Sequence, residues 1–182
     1  MTEPCYYCVR YHLYARLCDY NTVSMMNIDE TDRAILEALQ GNGRLSNVEL
    51  AGQVHLSESA CLRRVRALEA GGVIVGYRAT VDPASVGLPD NVFVSVGLSS
   101  QDQADLDAFE EAVRHVPEVM DCYLMTGDFD YLLRVVAAGA ADYERIHRQH
   151  LTRLPSVARV HSSFALRVVQ DAAGLPMTRD GD

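Results

Sequence analysis

Two stretches of this chain carry side chains of the right type and spacing to act on another molecule. In the first, Ser57, Ser59, Arg63, Arg64 and Arg66 crowd into ten residues. A guanidinium can pair with guanine O6 and N7 or with phosphate, and a serine hydroxyl can bond to phosphate or a base edge. The second is the turn Thr126-Gly127-Asp128-Phe129-Asp130-Tyr131, preceded by Met125. Gly127 lets backbone amides come close to a ligand and hold an anion, while Asp128 or Asp130 can pair with a cation. Read alone, the first stretch is equally a solvated arginine face, and the second an acidic hairpin turn. Two further groupings have metal-ligand character. Cys5-x-x-Cys8 with His12 or Cys18 is one unmatched pair, a weak signal. Glu144-x-x-His147 with His150 has no second Glu-x-x-His to complete a carboxylate site, so a solvated helix face is the expectation there. No metal, cofactor or catalytic residue is expected.

The arginine stretch is positioned by a run of short helices. Ile28, Ile35, Leu36 and Leu39 recur at helical spacing behind Asp29 as N-cap, and Gly41-Asn42-Gly43 stops that helix. Ser46-x-x-Glu49 is a capping box opening a second, shorter helix with Val48, Ala51 and Val54 on one face. Ser57 caps a third, running to Ala70 and ended by Gly71-Gly72. Within it Cys61, Val65 and Leu68 lie within about 60° of one another at ~100° per residue and make the inward stripe. Ser59, Arg63 and Arg66 cluster opposite, while Arg64 falls at the edge of the buried stripe, where a phosphate contact or a structural role is expected. Glu58, at the entry to this helix, repels phosphate unless it accepts from a base such as cytosine N4. Three helices, the last two joined by a tight turn, read as a helix-turn-helix. Val73, Val75, Tyr77, Ala79 and Val81 then alternate with their neighbours, predicting a strand that Asp82-Pro83 ends.

The acidic turn belongs to a second pattern. Val92, Val94, Val96 and Leu98 mark a strand; Leu106, Phe109, Val113 and Val116 a helix closed by Pro117. Met120, Cys122 and Leu124 form the inward side of a strand that turns at Gly127-Asp128 into Tyr131, Leu133, Val135 and Ala137. Tyr143, Ile146, His150 and Leu154 mark a helix ended by Pro155, and Val160, Ser162, Phe164, Leu166 and Val168 a last strand. The order β-α-β-β-α-β is the ferredoxin-like split arrangement. Its sheet carries both helices on one face, so the other face needs a cover and at least a dimer is expected.

The fold class expected is therefore α+β: an N-terminal winged helix-turn-helix domain, residues 26–81, a linker 82–91, and a ferredoxin-like domain, residues 92–169. Residues 170–182 form a tail. Residues 1–25 carry five of the nine tyrosines without a clear period, and Met25-Met26 directly precede the first patterned segment, pointing to a start there. Hydrophobic residues at 48% and charged residues at 23% fit a globular chain. No apolar run approaches the roughly 18 residues of a membrane span, and no secretory signal is present, so a cytoplasmic location is expected. The net charge of −9 weighs against nucleic-acid binding, but residues 83–182 hold 8 arginines against 15 acids and account for most of it. Net charge governs long-range steering, whereas a DNA site needs only a local basic face.

Several motifs in order carry a family resemblance. Asp29-x-x-Asp32-Arg33-x-Ile35-Leu36, Gln40-x-x-Gly43-Arg44, Leu50-Ala51, Leu56-Ser57 and Arg63-Arg64-Val65-x-x-Leu68-Glu69-x-x-Gly72-Val73-Ile74 resemble the leucine-responsive regulator/AsnC family. So does Pro117-Glu118-Val119 followed by Gly127-Asp128-x-Asp130-Tyr131-Leu132-Leu133, and the match runs from about Met26 to Val169. The resemblance implies a transcription regulator that binds double-stranded DNA, forms dimers assembling further, often to octamers, and binds an amino-acid effector between dimers. It places that effector at Met125, Thr126, Gly127, Asp128, Phe129, Asp130 and Tyr131. Lysines common in such DNA-binding helices are here arginine or neutral. A ligand-independent architectural DNA-binding protein, or an enzyme on the same fold, are the alternatives; the intact Arg63/Arg66 face speaks against the second.

Overall fold

The computed structural model of the chain describes residues 27–171 and 174–177. They divide into two units: one ends at Ala79 and takes in residues 174–177, the other is Thr80–Asp171. Cys5, Cys8, His12, Cys18 and the whole 1–25 segment lie outside the described residues.

In the first unit the expected caps all form. Helix α1, Glu30–Gly41, begins with a reciprocal box: the Asp29 carboxylate accepts from the Asp32 amide at 2.8 Å, and Asp32 accepts from the Asp29 amide at 3.3 Å. Helix α2, Asn47–Gln53, opens on the same device between Ser46 and Glu49. Helix α3, Glu58–Ala70, is capped by Ser57 Oγ, which accepts from the Ala60 amide. Each cap satisfies an amide that the first turn leaves without a carbonyl. The α2–α3 turn is tight because His55 takes a left-handed conformation, φ 54°, letting the Leu56 amide reach the Ala51 carbonyl at 2.9 Å. Ile35, Leu36, Leu50, Ala51, Cys61 and Leu68 make the core. Residues 174–177 close against it. The Gln40 amide both donates to the Leu175 carbonyl and accepts from its N–H, and Met177 packs on the core.

The strand predicted over 73–81 is not there. Gly72, φ 67°, reverses the chain after α3, and among the described residues the segment that follows pairs with no strand. Period-two alternation describes which residues are apolar, but a strand exists only where its N–H and C=O groups meet a ladder partner. Val75, Tyr77 and Val81 accordingly remain half or more exposed, with the Tyr77 hydroxyl donating to Glu69.

The second unit is the expected β-α-β-β-α-β. A short 3₁₀ turn at Ala84–Val86 precedes strand β1, Asp90–Leu98; then come helix α4, Gln103–Val113, β2, Val119–Leu124, and β3, Tyr131–Ala137. Helix α5, Ala140–Gln149, and β4, Val157–Phe164, complete it. The strand order is β2-β3-β1-β4, antiparallel throughout. One face carries Val92, Val94, Val96, Leu133 and Val135 into a core shared with Phe109, Val113, Tyr143 and Ile146, so both helices lie on that side. The opposite face leaves Phe93 and Tyr123 about half exposed.

Three local expectations need correction. A bulge between Val119 and Asp121 takes Met120 out of the alternation and leaves it exposed, and Leu124 at the strand end is exposed too. Of that trio only Cys122 packs on the core. Helix α5 stops at Gln149, so His150 is its C-cap and buried Leu151 takes the place in the stripe. Strand β4 ends at Phe164, paired with Val92, and the Ala165 amide makes one further bond, to the Asn91 carbonyl. Leu166 and Val168, without a partner, are exposed.

Candidate functional site

The outward side of α3 is built from two facts about the helix. Its Cys61 and Leu68 are wholly buried, which fixes the rotation, and that rotation turns Ser59, Arg63 and Arg66 to solvent. Among the described residues neither Arg63 nor Arg66 has a carboxylate within ion-pair distance. Ser57 is exposed, but its oxygen already caps the helix.

Arg64 takes the structural branch of the two roles its position allowed. One of its terminal nitrogens, Nη1, donates to Asp29 Oδ2 and Asp32 Oδ1, both at 2.8 Å, tying α3 to the N-terminus of α1. The Asp29 carboxyl is held below its ordinary range by the Asp32 amide first and by Arg64 beside it. Arg64 is held in its charged form by bonds to the same two carboxylates. Arg64 thus has a structural contact through Nη1, and Ser59, Arg63 and Arg66 are the candidate residues on the outward face.

The acidic turn joins β2 to β3 and is folded back on β1. The Met125 amide donates to the Asp130 carbonyl at 2.8 Å, and the Asp130 amide to the Val96 carbonyl at 2.9 Å. Gly127 takes φ 127°, a value that side-chain-bearing residues rarely adopt. Thr126, Gly127 and Asp128 are exposed and Phe129 is half-buried. The two acids separate. Asp130 Oδ2 accepts the Leu98 amide and its Oδ1 the Gln101 side-chain amide, each at 2.6 Å, so this carboxylate closes the corner between β1 and the turn. Asp128 keeps an exposed carboxylate with no partner among the described residues. Tyr131 departs from its expected place at the ligand. Its ring is buried against Phe109 with centroids 4.4 Å apart, and its hydroxyl donates to Glu110 at 2.9 Å. Burial and the Glu110 carboxylate both push that phenol up.

Sequence reasoning missed Arg159. It lies on β4, opposite Gly97 of β1. Its side chain crosses the bare backbone of Gly97, where a Cβ would stand 3.8 Å from it, and Nη2 donates to the Asp128 carbonyl at 3.2 Å. The long stretch of chain between Gly97 and Arg159 conceals this adjacency; only the strand order reveals it.

The helical His/Glu grouping comes apart. Glu144 pairs with Arg148, the His147 ring lies against Tyr143, and His150 ends the helix. Among the described residues no three His, Cys, Asp or Glu side chains converge as a metal site. Burial pushes the Cys122 thiol up to about 12. Among the described residues no helix is long and apolar enough to cross a membrane.

With the two surfaces located, comparison with known proteins is decisive. Residues 28–75 match the family model for winged helix-turn-helix DNA-binding domains, and residues 91–175 that for the Lrp/AsnC ligand binding domain. The Bkd operon transcriptional regulator of Pseudomonas aeruginosa is 43% identical over 153 residues, spanning 84% of this chain and 100% of that protein. The chain belongs to the Lrp/AsnC family of transcription regulators. Among its relatives in that family is a leucine-responsive regulatory protein of Rhizobium meliloti, 39% identical across 82% of this chain and 96% of that protein. Among solved structures, a transcriptional regulator from Neisseria meningitidis in complex with L-methionine superposes with TM-score 0.78. That pair shares 37% identity over 82% of this chain and 96% of the other. An AsnC family regulator from Agrobacterium tumefaciens gives the same TM-score, 0.78, at 37% identity over 82% of this chain and 97% of its own. The winged helix-turn-helix plus α+β architecture holds for this Lrp/AsnC regulator, and its family is one of regulators rather than enzymes.

Proposed function

We propose that this Lrp/AsnC regulator is a cytoplasmic, amino-acid-responsive transcription factor that reads double-stranded DNA with Ser59, Arg63 and Arg66 and senses its effector at the Thr126–Phe129 turn. The observation that carries the DNA assignment is the split among adjacent arginines. Arg64 pairs with Asp29 and Asp32, while Arg63 and Arg66 stand exposed with no carboxylate within ion-pair distance among the described residues. A short helix presenting arginine and serine outward fits a major groove. Two-fold symmetry places two such helices on successive grooves, so the functional unit is a homodimer assembling further, up to an octamer. The open sheet face bearing Phe93 and Tyr123 supports that assembly, since half-exposed aromatics on a sheet are a contact surface.

The effector assignment is supported by the chemistry of the turn. Exposed amides around Gly127 accept an anion, and Asp128 accepts an α-ammonium group. The methionine complex of the Neisseria relative supplies the ligand class. Effector binding changes DNA affinity only through its differential affinity for two assemblies.

The test is fluorescence anisotropy of the full chain on the DNA upstream of its own gene, across a salt series, with and without pooled amino acids. Salt-sensitive binding that shifts with the pool is expected, and splitting the pool names the ligand. Binding with no shift replaces this reading with an architectural DNA-binding protein. Absence of DNA binding overturns the regulator reading and favours an enzyme on the same fold.

A further inference from the structure

The turn at Gly127 has an acid for an ammonium group but, on its own segment, no cation for a carboxylate. Strand β4 supplies one from the far side of β1. Arg159 is exposed, lies across Gly97, and reaches the backbone of Asp128 rather than its carboxylate, Nη2 to the carbonyl at 3.2 Å. Among the described residues no carboxylate lies within ion-pair distance of it. An acid and a base thus meet at one turn without neutralising each other. We propose that Arg159 is the carboxylate anchor of the effector site and makes it selective for free α-amino acids over their amides and amines.

This role for Arg159 rests on the effector reading above and adds a residue and a specificity to it. A guanidinium has five N–H donors in a planar fork, and the carbonyl contact occupies one of them. The remaining donors suit a two-oxygen partner, which a carboxylate provides and a carboxamide, with one oxygen and an NH₂, does not. The arginine side chain lies along Gly97, where an added Cβ would stand 3.8 Å from its stem and nitrogens, an ordinary van der Waals contact. Asp128 takes the ammonium group, so the pair recognises a zwitterion. The carbonyl bond keeps the guanidinium at the turn before ligand arrives, which lowers the ordering loss on binding.

The full chain is titrated calorimetrically with each standard amino acid, then with the α-amide and the decarboxylated amine of the best binder. Wild type is expected to favour the acid over both by tenfold or more. In Arg159→Gln, acid affinity falls at least tenfold while amide affinity holds, so discrimination disappears; Arg159→Lys recovers part of it. DNA affinity without effector is unchanged in both variants. Acid/amide discrimination retained in Arg159→Gln overturns the proposal. So does an equal loss for acid and amide, which marks Arg159 as a prop for the turn. If wild type binds no amino acid, the effector reading itself fails, and that failure is visible before any variant is made.

Discussion

Replacing Arg64 with alanine separates a structural arginine from the neighbouring ones proposed to read DNA. The wild-type guanidinium bridges Asp29 and Asp32 at 2.8 Å each, and the Asp32 side chain is only 6% exposed. A charge-assisted bond to a nearly buried carboxylate contributes about 1.5 kcal/mol. The bond to half-exposed Asp29 adds nearer ~0.5 kcal/mol, being screened by solvent. Arg64→Ala is therefore expected to cost about 2 kcal/mol, because the nearly buried Asp32 side chain loses its cation partner. For a unit of this size that lowers the melting temperature by roughly 10 °C. Neutralising the stranded acid should recover about 1 kcal/mol, so the double variant Arg64→Ala/Asp32→Asn melts above Arg64→Ala. Arg63→Ala and Arg66→Ala, by contrast, remove unpaired surface charges and should leave melting within about 0.5 kcal/mol of wild type. Each should weaken DNA binding about tenfold, consistent with losing a contact worth roughly 1–3 kcal/mol. The assays are circular-dichroism melting and anisotropy with salt titration, run on all four variants below their melting temperatures. The reasoning is refuted if Arg64→Ala melts like wild type yet loses DNA affinity as Arg63→Ala does.

Other outcomes follow from the same contacts. Asp130→Asn weakens the two 2.6 Å bonds that close the β1 corner; urea unfolding should show about 1–2 kcal/mol lost, whereas Asp128→Asn should unfold as wild type while blunting the amino-acid response. His55→Gly relieves a left-handed residue, φ 54°; set against the extra freedom of glycine in the unfolded chain, a gain of about 0.5–1 kcal/mol is expected, read as a raised urea midpoint. Acid should unfold the protein in a defined direction. Asp29, held low by the Asp32 amide and Arg64, and Asp142, held low by the Ala138 amide and Arg145, have folded values below their unfolded ones. Their stabilisation is present above the ordinary carboxylate range near pH 4 and is lost as pH falls through the lowered folded values. Melting temperature from pH 7 down to 3 should thus stay level and then drop, with a shallower drop in Asp29→Asn.

The sequence alone determined what depends on near neighbours. Asp29, Ser46 and Ser57 were legible as caps because a cap bonds to amides two or three residues on, and the buried stripe of α3 followed from helical spacing. The alternation of Val92, Val94 and Val96 and of Tyr131, Leu133 and Val135 fixed both strands and their inward faces. Even the turn carrying Asp128 could be located. The tertiary structure alone decided what depends on a partner far along the chain. Helical spacing set Arg64 at the edge of the buried stripe and Arg63 outside it, but the acids that Arg64 meets, Asp29 and Asp32, are brought to it only by the fold. Asp130 and Asp128 differ by whether the Leu98 amide lies within reach. Among the described residues the 73–81 segment has a strand's pattern without a ladder partner, and β4 leaves its ladder at Phe164 although the apolar alternation runs on to Val168. Arg159 reaches the Gly127 turn by crossing a strand. Periodicity encodes which side of an element is apolar, but a polar group's role is set by the partner that satisfies it, and that partner is brought near only when the chain folds.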